Sequence, residues 1–326
     1  MPNVRKPRKG SLQFWPRVRS KRQYPRIKNW KIEGNGLLGF AGYKVGMTHL
    51  TFKDKRKTAL TKGQDVTFPV TVVECPPLKV ASLRFYKKSS DGLKAVSEIF
   101  SQNVDKELKR KVMLPKKKSE KKPEEIDFDE VRLLVYTQPK LTGIGKKKPE
   151  IFEIAIGGKK EEQLKYAQEK IGKELTIEDV FKEGQQIDLH AVTKGKGFQG
   201  PMKRFGIALR ASKSEKSRRN PGSLGPWKGQ GHIMWKVAHA GKMGYHTRTE
   251  YNKQILKIGK TGEDINIAGG YLRYGNVKNP YILIKGSVPG ISKRLIRMSL
   301  PRRKNKTIVE EALDINYISL ESKQGN

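Results

Sequence analysis

Two patterns in this 326-residue chain could carry chemistry. His232, His239 and His246 recur every seven residues, and Gly195, Gly197 and Gly200 stand in a G-x-G-x-x-G. Imidazoles hold transition metals, and a glycine-rich turn after a strand can cradle a dinucleotide pyrophosphate. A seven-residue spacing brings side chains together only on a helix, and Gly231, Gly241 and Gly244 oppose one. Glu250 is the only nearby acid and no cysteine is near, so no metal site is expected. The histidines are left as hydrogen-bonding or stacking groups, with local turn packing as the alternative. A dinucleotide site would also need an amphipathic helix, then an acid about 20 residues on. Here Pro201 and Gly206 follow, and Glu215 lies in a run of Lys and Arg. The glycines fit better as points of close backbone approach to phosphates, with Lys194 and Lys196 beside them. There is no G-x-S-x-G, P-loop or H-E-x-x-H, and carboxylates are nearly missing from this region. The expectation is no catalytic group, no cofactor and no small-molecule substrate.

Charge says what the region does instead. The chain holds 69 Lys and Arg against 32 Asp and Glu, a net charge of +37. Like charges at that density destabilise a compact state, and a polyanion neutralises them with release of condensed counterions. Residues 1–32 hold 11 basic residues and no acid; residues 194–260 hold 16 and only Glu215 and Glu250; residues 265–309 hold ten and none. Residues 93–184 are different, with 21 basic and 18 acidic, the mixture of an ordinary solvated surface. The three acid-poor segments are read as contact surface for nucleic acid. In the N-terminal one, Phe14, Trp15, Tyr24 and Trp30 interleave with the arginines, which suits stacking of unpaired bases. Such a tail is expected to order only on its partner.

The elements that must position these residues read as short strands with glycine turns. Residues 37–47, 70–74 and 80–86 are strand candidates, and Cys75 is read as a buried structural thiol; a single cysteine excludes an intrachain disulfide. Residues 131–136 and 151–156 add strands to an α+β insertion. Its helix carries Leu164, Ala167 and Ile171 on one face, and Thr176 to Asp179 has the form of a capping box. The lysine-rich stretches 115–123 and 146–148 are expected as exposed loops. Residues 186–191 alternate, with Ile187, Leu189 and Ala191 facing inward and Gln186, Asp188 and His190 on a polar face. Strands resume at 254–258, 265–267 and 281–284. Residues 200–250 keep neither a period of 2 nor of 3.6, and a long structureless loop of that kind is functional or ordered by a partner. No apolar run approaches the roughly 18 residues of a membrane span, and no apolar stretch follows the basic N-terminus as a secretory signal requires. A cytoplasmic, reducing setting is expected.

One stretch carries a family resemblance. Phe181, Asp188, Ala191, Thr193, Gly195, Lys196, Gly197, Gly200 and Arg204 stand at spacings resembling the signature of ribosomal protein L three. Residues 44–48 resemble that family's early barrel strand. Residues 221–227, ending in Trp227, and residues 244–249 resemble its central loop in the archaeal and eukaryotic branch. The resemblance spans nearly the whole chain, in the family's order. It implies a mainly β fold: a translation-factor-like small β-barrel with an α+β insertion, a long irregular basic loop and an extended N-terminal tail. The implied division is 1–33 tail, 34–92 first part of the barrel, 93–184 insertion, 185–199 barrel strand and glycine-rich turn, 200–253 central loop, 254–309 remainder of the barrel and 310–326 C-terminal segment. The implied partners are large-subunit rRNA, from early assembly onward and near the peptidyl transferase centre, and neighbouring large-subunit proteins. Trp227 matches the tryptophan at the loop tip. Two departures limit the transfer. Many relatives follow that tryptophan with His or Asn and then Pro, whereas Lys228 and Gly229 follow here. Eukaryotic relatives carry a modified histidine where Ser214, Glu215 and Lys216 stand, so nothing tied to that modification is carried over.

The candidate rRNA-binding residues are Arg5, Arg8, Trp15, Arg17, Arg19, Arg22 and Arg26 in the tail and Lys194, Lys196, Arg204, Arg210, Lys213, Arg218, Arg219, Trp227 and Lys228 in the turn and loop. Trp235, Lys236, Lys242, His246, Arg248 and Lys253 complete the set. The rival reading is an RNA-modifying or nucleotide-dependent enzyme with its site at residues 195–200.

Overall fold

The computed structural model describes residues 7–30, 34–56, 59–115, 123, 126–214, 217–229 and 231–322. The chain divides into two compact units, residues 1–23 with 192–248 and residues 24–191 with 249–326. It is mainly β. The strands are β1 (Gly36–Leu37), β2 (Gly39–Lys53), β3 (Asp65–Glu74), β4 (Leu78–Ser89), β5 (Gly92–Phe100), β6 (Glu130–Tyr136), β7 (Ile151–Gly157) and β8 (Glu174–Leu175). They continue as β9 (Gln186–Val192), β10 (Phe198–Gln199), β11 (Gly241–Lys242), β12 (Thr247–Gly259), β13 (Tyr281–Lys285), β14 (Leu295–Ser299) and β15 (Ile315–Ile318). Two short α-helices are α1 (Lys160–Lys170) and α2 (Pro201–Phe205).

The larger sheet runs β14-β9-β12-β13-β3-β2-β15, and β14 pairs with β2 as well as β9. Strand pairing therefore returns on itself through β2. The β-branched run at the end of β3 is buried on both faces, which is why it reads as continuous rather than alternating hydrophobicity. Gly42 has a specific reason to be there. A Cβ would sit 2.7 Å from Cys75 Sγ and from the Glu74 carbonyl oxygen, so only glycine lets β2 lie this close to the end of β3. Cys75 is buried, and burial followed by the nearby Glu74 pushes its thiol well above the usual range.

The second sheet runs β1-β7-β6-β4-β5, with β8 beside β4. It holds the strands of residues 93–184 and shares them with β4 and β1. Helix α1 packs on it through Ala167, and the Gln163 side chain accepts from Val131 N at 3.1 Å and donates to Gly158 O at 2.9 Å. Thr176 N and Oγ1 both donate to Asp179 Oδ2, at 3.0 and 2.9 Å, above a turn that does not propagate into a helix. Of the lysine-rich stretches, residues 116–122 lie outside the described residues. At 146–148, Lys147 and Lys148 are exposed while Lys146 pairs with Glu150 at 2.6 Å.

Three expectations need correcting. The strand at 265–267 is a 3-10 turn, Glu263–Ile265. The next residue, Asn266, donates Nδ2 to Val277 O at 3.0 Å and accepts from Val277 N at 2.8 Å, so a side chain takes the bonds a ladder partner would have made. Arg297 lies in the acid-free run 265–309 but is not contact surface. It is buried on β14, donates to Pro25 O at 3.3 Å and to Glu153 O, and stands 4.4 Å over the Phe152 ring. Burial pushes its guanidinium down to about 9, offset in part by Glu153.

The polar face of β9 is the third correction, because it is buried rather than solvated. Gln186 exchanges hydrogen bonds with the Asn305 backbone, at 2.9 and 3.0 Å. Asp188, with 0% exposure, accepts from the backbone amides of Asn252 and Arg302, each at 2.9 Å. His190 holds Thr249 Oγ1 at 3.0 Å and Ser299 Oγ at 3.2 Å. Every second residue of β9 thus bonds to a segment far away in the sequence.

A pH dependence follows. Burial first, then Arg297 and Arg302, hold the His190 ring down to about 4. Between there and its ordinary value of 6.5 the unfolded chain binds a proton that the folded chain refuses. Stability is therefore full above pH 6.5 and is lost as pH falls toward 4. His190→Gln should flatten urea midpoints measured across that window. An unchanged slope in the variant would show that His190 is not the titrating group.

Candidate nucleic-acid interface

The unit of residues 7–23 and 192–248 has almost no regular structure, yet it is ordered by a repeated local device: a guanidinium lying on an aromatic ring while it donates to a backbone carbonyl. Arg17 sits 4.3 Å from the Phe205 centroid and donates Nη1 to Arg204 O at 2.6 Å. Arg204 lies 4.9 Å from the same ring, donating Nε to Lys242 O at 3.1 Å and Nη1 to His239 O at 2.9 Å. Arg248 covers Phe14 at 5.1 Å and Arg19 covers Tyr245 at 5.2 Å. Arg8 donates to Lys236 O. Trp15 completes the cluster, 5.2 Å from Phe205 and edge-on to Trp235 at 6.0 Å. Each ring covers one face of a planar cation and each carbonyl takes a proton, so the N-terminal segment is held without a hydrophobic core of its own.

The glycine-rich turn is built around α2 and a two-stranded ribbon. Phe198 and Gln199 pair with Lys242 and Gly241. Lys196 N donates to Met243 O at 2.9 Å and Met243 N to Gly197 O at 2.8 Å. The Lys196 amide is spent on the ribbon, which leaves the exposed side chains of Lys194 and Lys196 as the groups that can meet a phosphate. Gly206 ends α2 at φ 69°, the left-handed conformation that a helix stop takes and glycine adopts without strain.

The histidines separate. His232 is exposed, His239 is half-buried, and His246 is buried with Nδ1 2.8 Å from Val18 O. His246 therefore ties the N-terminal segment to the loop from inside. Among the described residues no group of three His, Cys, Asp or Glu could hold a metal ion, and no helix is long and apolar enough to cross a membrane.

What remains on the surface is cationic and aromatic. Arg22, Lys194, Lys196, Arg210, Lys213, Arg218, Arg219, Lys228, Lys236 and Lys242 are exposed. Trp227 is 99% exposed, Trp235 69% and Phe198 73%. Trp227 crowns a turn closed by Gly229 N to Pro226 O at 3.2 Å and, further down, Met234 N to Leu224 O at 3.0 Å. No acidic side chain lies among the described residues of this unit. Burial, then the charges of Arg248 and Arg204, push the Arg17 guanidinium down; burial does the same to Arg204 and Arg248. Three arginines share one small region with no acidic side chain among the described residues, a field that favours an anion.

Arg26 and Lys253 belong to the other unit, Arg26 exposed and Lys253 3.8 Å from Glu250; Arg5 lies outside the described residues. The platforms Phe205 and Tyr245 were missed in the sequence. Their signal was adjacency to a basic or aromatic neighbour, as in Arg204 and Phe205, which is too common to single out.

Comparison with known proteins now decides the family. The family model for ribosomal protein L3 matches residues 1–125 and 124–325. The chain belongs to the ribosomal protein L3 family. It is 49% identical to the large ribosomal subunit protein uL3 of Methanosphaera stadtmanae and 48% identical to that of Archaeoglobus fulgidus, each over 98% of both chains. It is 46% identical to that of Methanocaldococcus jannaschii over 99% of both. The end-to-end coverage means that the acid-poor unit falls within the matched region, as does the rest of the chain.

Proposed function

We propose that this L3-family chain is a structural constituent of the large ribosomal subunit. It binds large-subunit rRNA early in assembly and supports the architecture near the peptidyl transferase centre. It works in the cytoplasm, without cofactor or catalytic group, beside neighbouring large-subunit proteins. The observation that carries this reading is the cluster of Arg17, Arg204 and Arg248 on aromatic platforms, in a unit with no described acid and with Trp227 and Trp235 in solvent. A surface of that kind is unfavourable in water and matches phosphates and unstacked bases.

In this reading the cyclic pairing of β2, β3, β13, β12, β9 and β14 is a translation-factor-like small barrel. It carries the α+β insertion, the basic central loop and the N-terminal tail within the boundaries given above. Exposed Arg22, Arg26, Arg210, Lys213, Arg218, Arg219, Lys228, Lys236 and Lys242 meet phosphates, as do Lys194, Lys196 and Lys253, with Arg5 expected to do the same. Arg8, Arg17, Arg19, Arg204, Arg248 and His246 act mainly by holding tail and loop in the shape that RNA receives, and Trp15, Trp227 and Trp235 offer rings to it. The enzyme reading loses its site, because the amide of Lys196 is already paired and α2 is only five residues long.

The test is competition. Structured large-subunit rRNA should displace labelled rRNA from the chain at far lower concentration than duplex DNA does; equal competition would reduce the protein to a general polyanion binder. Trp227 gives a sharper check. Trp227→Ala should leave the thermal unfolding midpoint unchanged, since the ring touches solvent, while slowing subunit maturation or peptidyl transfer in reconstituted subunits. A lowered midpoint would place the ring in a core instead.

A further inference from the structure

A second aromatic and cationic site lies in the other unit. Trp30, Tyr251, Asn252, Arg302 and Arg303 line a cavity of about 580 Å³. That is within the range of about 300–1,000 Å³ typical of small-ligand pockets. Its walls combine two rings and two guanidiniums, with no carboxylate among the lining residues. The geometry points to a pocket for one unstacked nucleotide of the bound RNA, its base against Tyr251 and Trp30 and its phosphate on Arg302 and Arg303. This deepens the rRNA-binding function proposed above and rests on it.

The pocket is built rather than incidental. Asp188, fully buried on β9, accepts the backbone amide of Asn252 with one carboxylate oxygen and that of Arg302 with the other. One side chain therefore fixes two walls that are fifty residues apart in the chain. Asn252 is held at φ 52°, a left-handed conformation uncommon outside glycine, which turns the strand between exposed Tyr251 and Lys253. Trp30 is held from behind: its ring is so close to Gly39 that a Cβ there would come within 2.9 Å, and Arg297 stands 5.7 Å from it. Tyr251, which lines the same cavity, is exposed. Aromatic faces of this kind are what an unstacked base stacks on.

Two further features favour a base over a plain anion. Trp30 Nε1 and Asn252 Oδ1, atoms of two lining residues, are buried with no hydrogen-bond partner among the described residues. Buried orphans of this kind are uncommon, and a small shift of either side chain would bring a donor or an acceptor to the edge of a nucleobase. Arg302 and Arg303 are exposed and make no ion pair among the described residues, so both are available to phosphate.

The test uses the full chain bound to protein-free large-subunit rRNA, irradiated, digested with nuclease and trypsin, and read by mass spectrometry. The expected result is a single-nucleotide adduct on the peptide carrying Tyr251 and Asn252. Tyr251→Ala should abolish that adduct, with the loop adducts retained. Tyr251→Phe should keep it, since the ring survives. Arg302→Gln with Arg303→Gln should weaken it and lower rRNA affinity roughly tenfold. Adducts confined to peptides within residues 1–23 and 192–248 would overturn the pocket while leaving rRNA binding intact. Failure of the wild-type chain to bind rRNA at all would overturn both. Protection of the same peptide by a free mononucleotide without RNA, or by a neighbouring protein in place of RNA, would also overturn it.

Discussion

Glu74→Ala should destabilise the chain by about 3–5 kcal/mol, the range for removing one partner from a buried, fully hydrogen-bonded charged group. Glu74 ends β3 with 0% exposure and accepts four hydrogen bonds. They come from Lys278 N at 2.9 Å, Asn279 N at 3.0 Å, Asn279 Nδ2 at 2.8 Å and the Tyr274 hydroxyl. Those donors lie in the loop before β13, two hundred residues along the chain, and Asn279 Nδ2 donates to Leu141 O as well, at 3.1 Å. Alanine would take this acceptor from Lys278 N, Asn279 N and the buried Tyr274 hydroxyl. Glu74→Gln should cost less, because one oxygen still accepts, although its amide then points a donor at donors. Urea unfolding followed by tryptophan fluorescence reads both variants. An alanine variant within 1 kcal/mol of wild type, on the scale of a minor surface change, would show that the carboxylate does not organise this corner.

The second large effect is electrostatic. Replacing Lys213, Arg218, Arg219 and Lys228 by Ala removes four exposed charges from the loop. If each meets one phosphate, the slope of log affinity against log salt should become shallower by about three, from roughly 0.7–0.9 per contact. Near-physiological salt, affinity should fall at least a hundredfold, while the unfolding midpoint barely moves because none of the four is buried. Arg210 should be left alone in this variant, since its guanidinium donates to Pro221 O at 2.7 Å and shapes the loop itself. An unchanged slope would mean that these residues face solvent in the complex and that the contact surface lies elsewhere.

How much of this was legible in the sequence depends on the range of the interaction. Strands such as β3, β6, β7 and β13 could be read because their β-branched runs record local burial. The charge pattern was legible because acid-poor segments are a property of composition. The roles of Gln186, Asp188 and His190 were not, although their alternation was: a polar residue facing a segment 59 to 119 residues away looks identical to one facing water. The same limit hid Arg297, a cation whose partners are carbonyls of residues 25 and 153. Residues 265–267 misled for a local reason, since two isoleucines around Asn266 imitate strand alternation while the asparagine side chain closes a turn. In the N-terminal segment, aromatic and basic residues were read as separate contacts for bases and phosphates. Which of them touch was a matter of packing: Arg17 on Phe205 and Arg248 on Phe14 span most of the chain.

The division of labour among the arginines follows from that packing. A guanidinium already bonded to carbonyls and lying on a ring cannot also be a freely moving phosphate contact, but it presents a fixed positive field at no further cost in side-chain freedom. Arginines already bonded to a carbonyl or lying on a ring therefore define the shape, and the other exposed lysines and arginines supply the adjustable contacts. Loss of a shaping residue should alter which RNA is chosen, whereas loss of an exposed one should weaken every RNA alike.

The most direct measurement is sedimentation of the intact chain with archaeal large-subunit rRNA through a series of rising salt concentrations. Stoichiometric co-sedimentation at moderate salt, lost along a steep log-linear slope, is the result predicted by phosphate contacts from the acid-poor unit. Binding that ignores salt, or a chain that stays at the top of the gradient while other large-subunit proteins travel with the RNA, would contradict it.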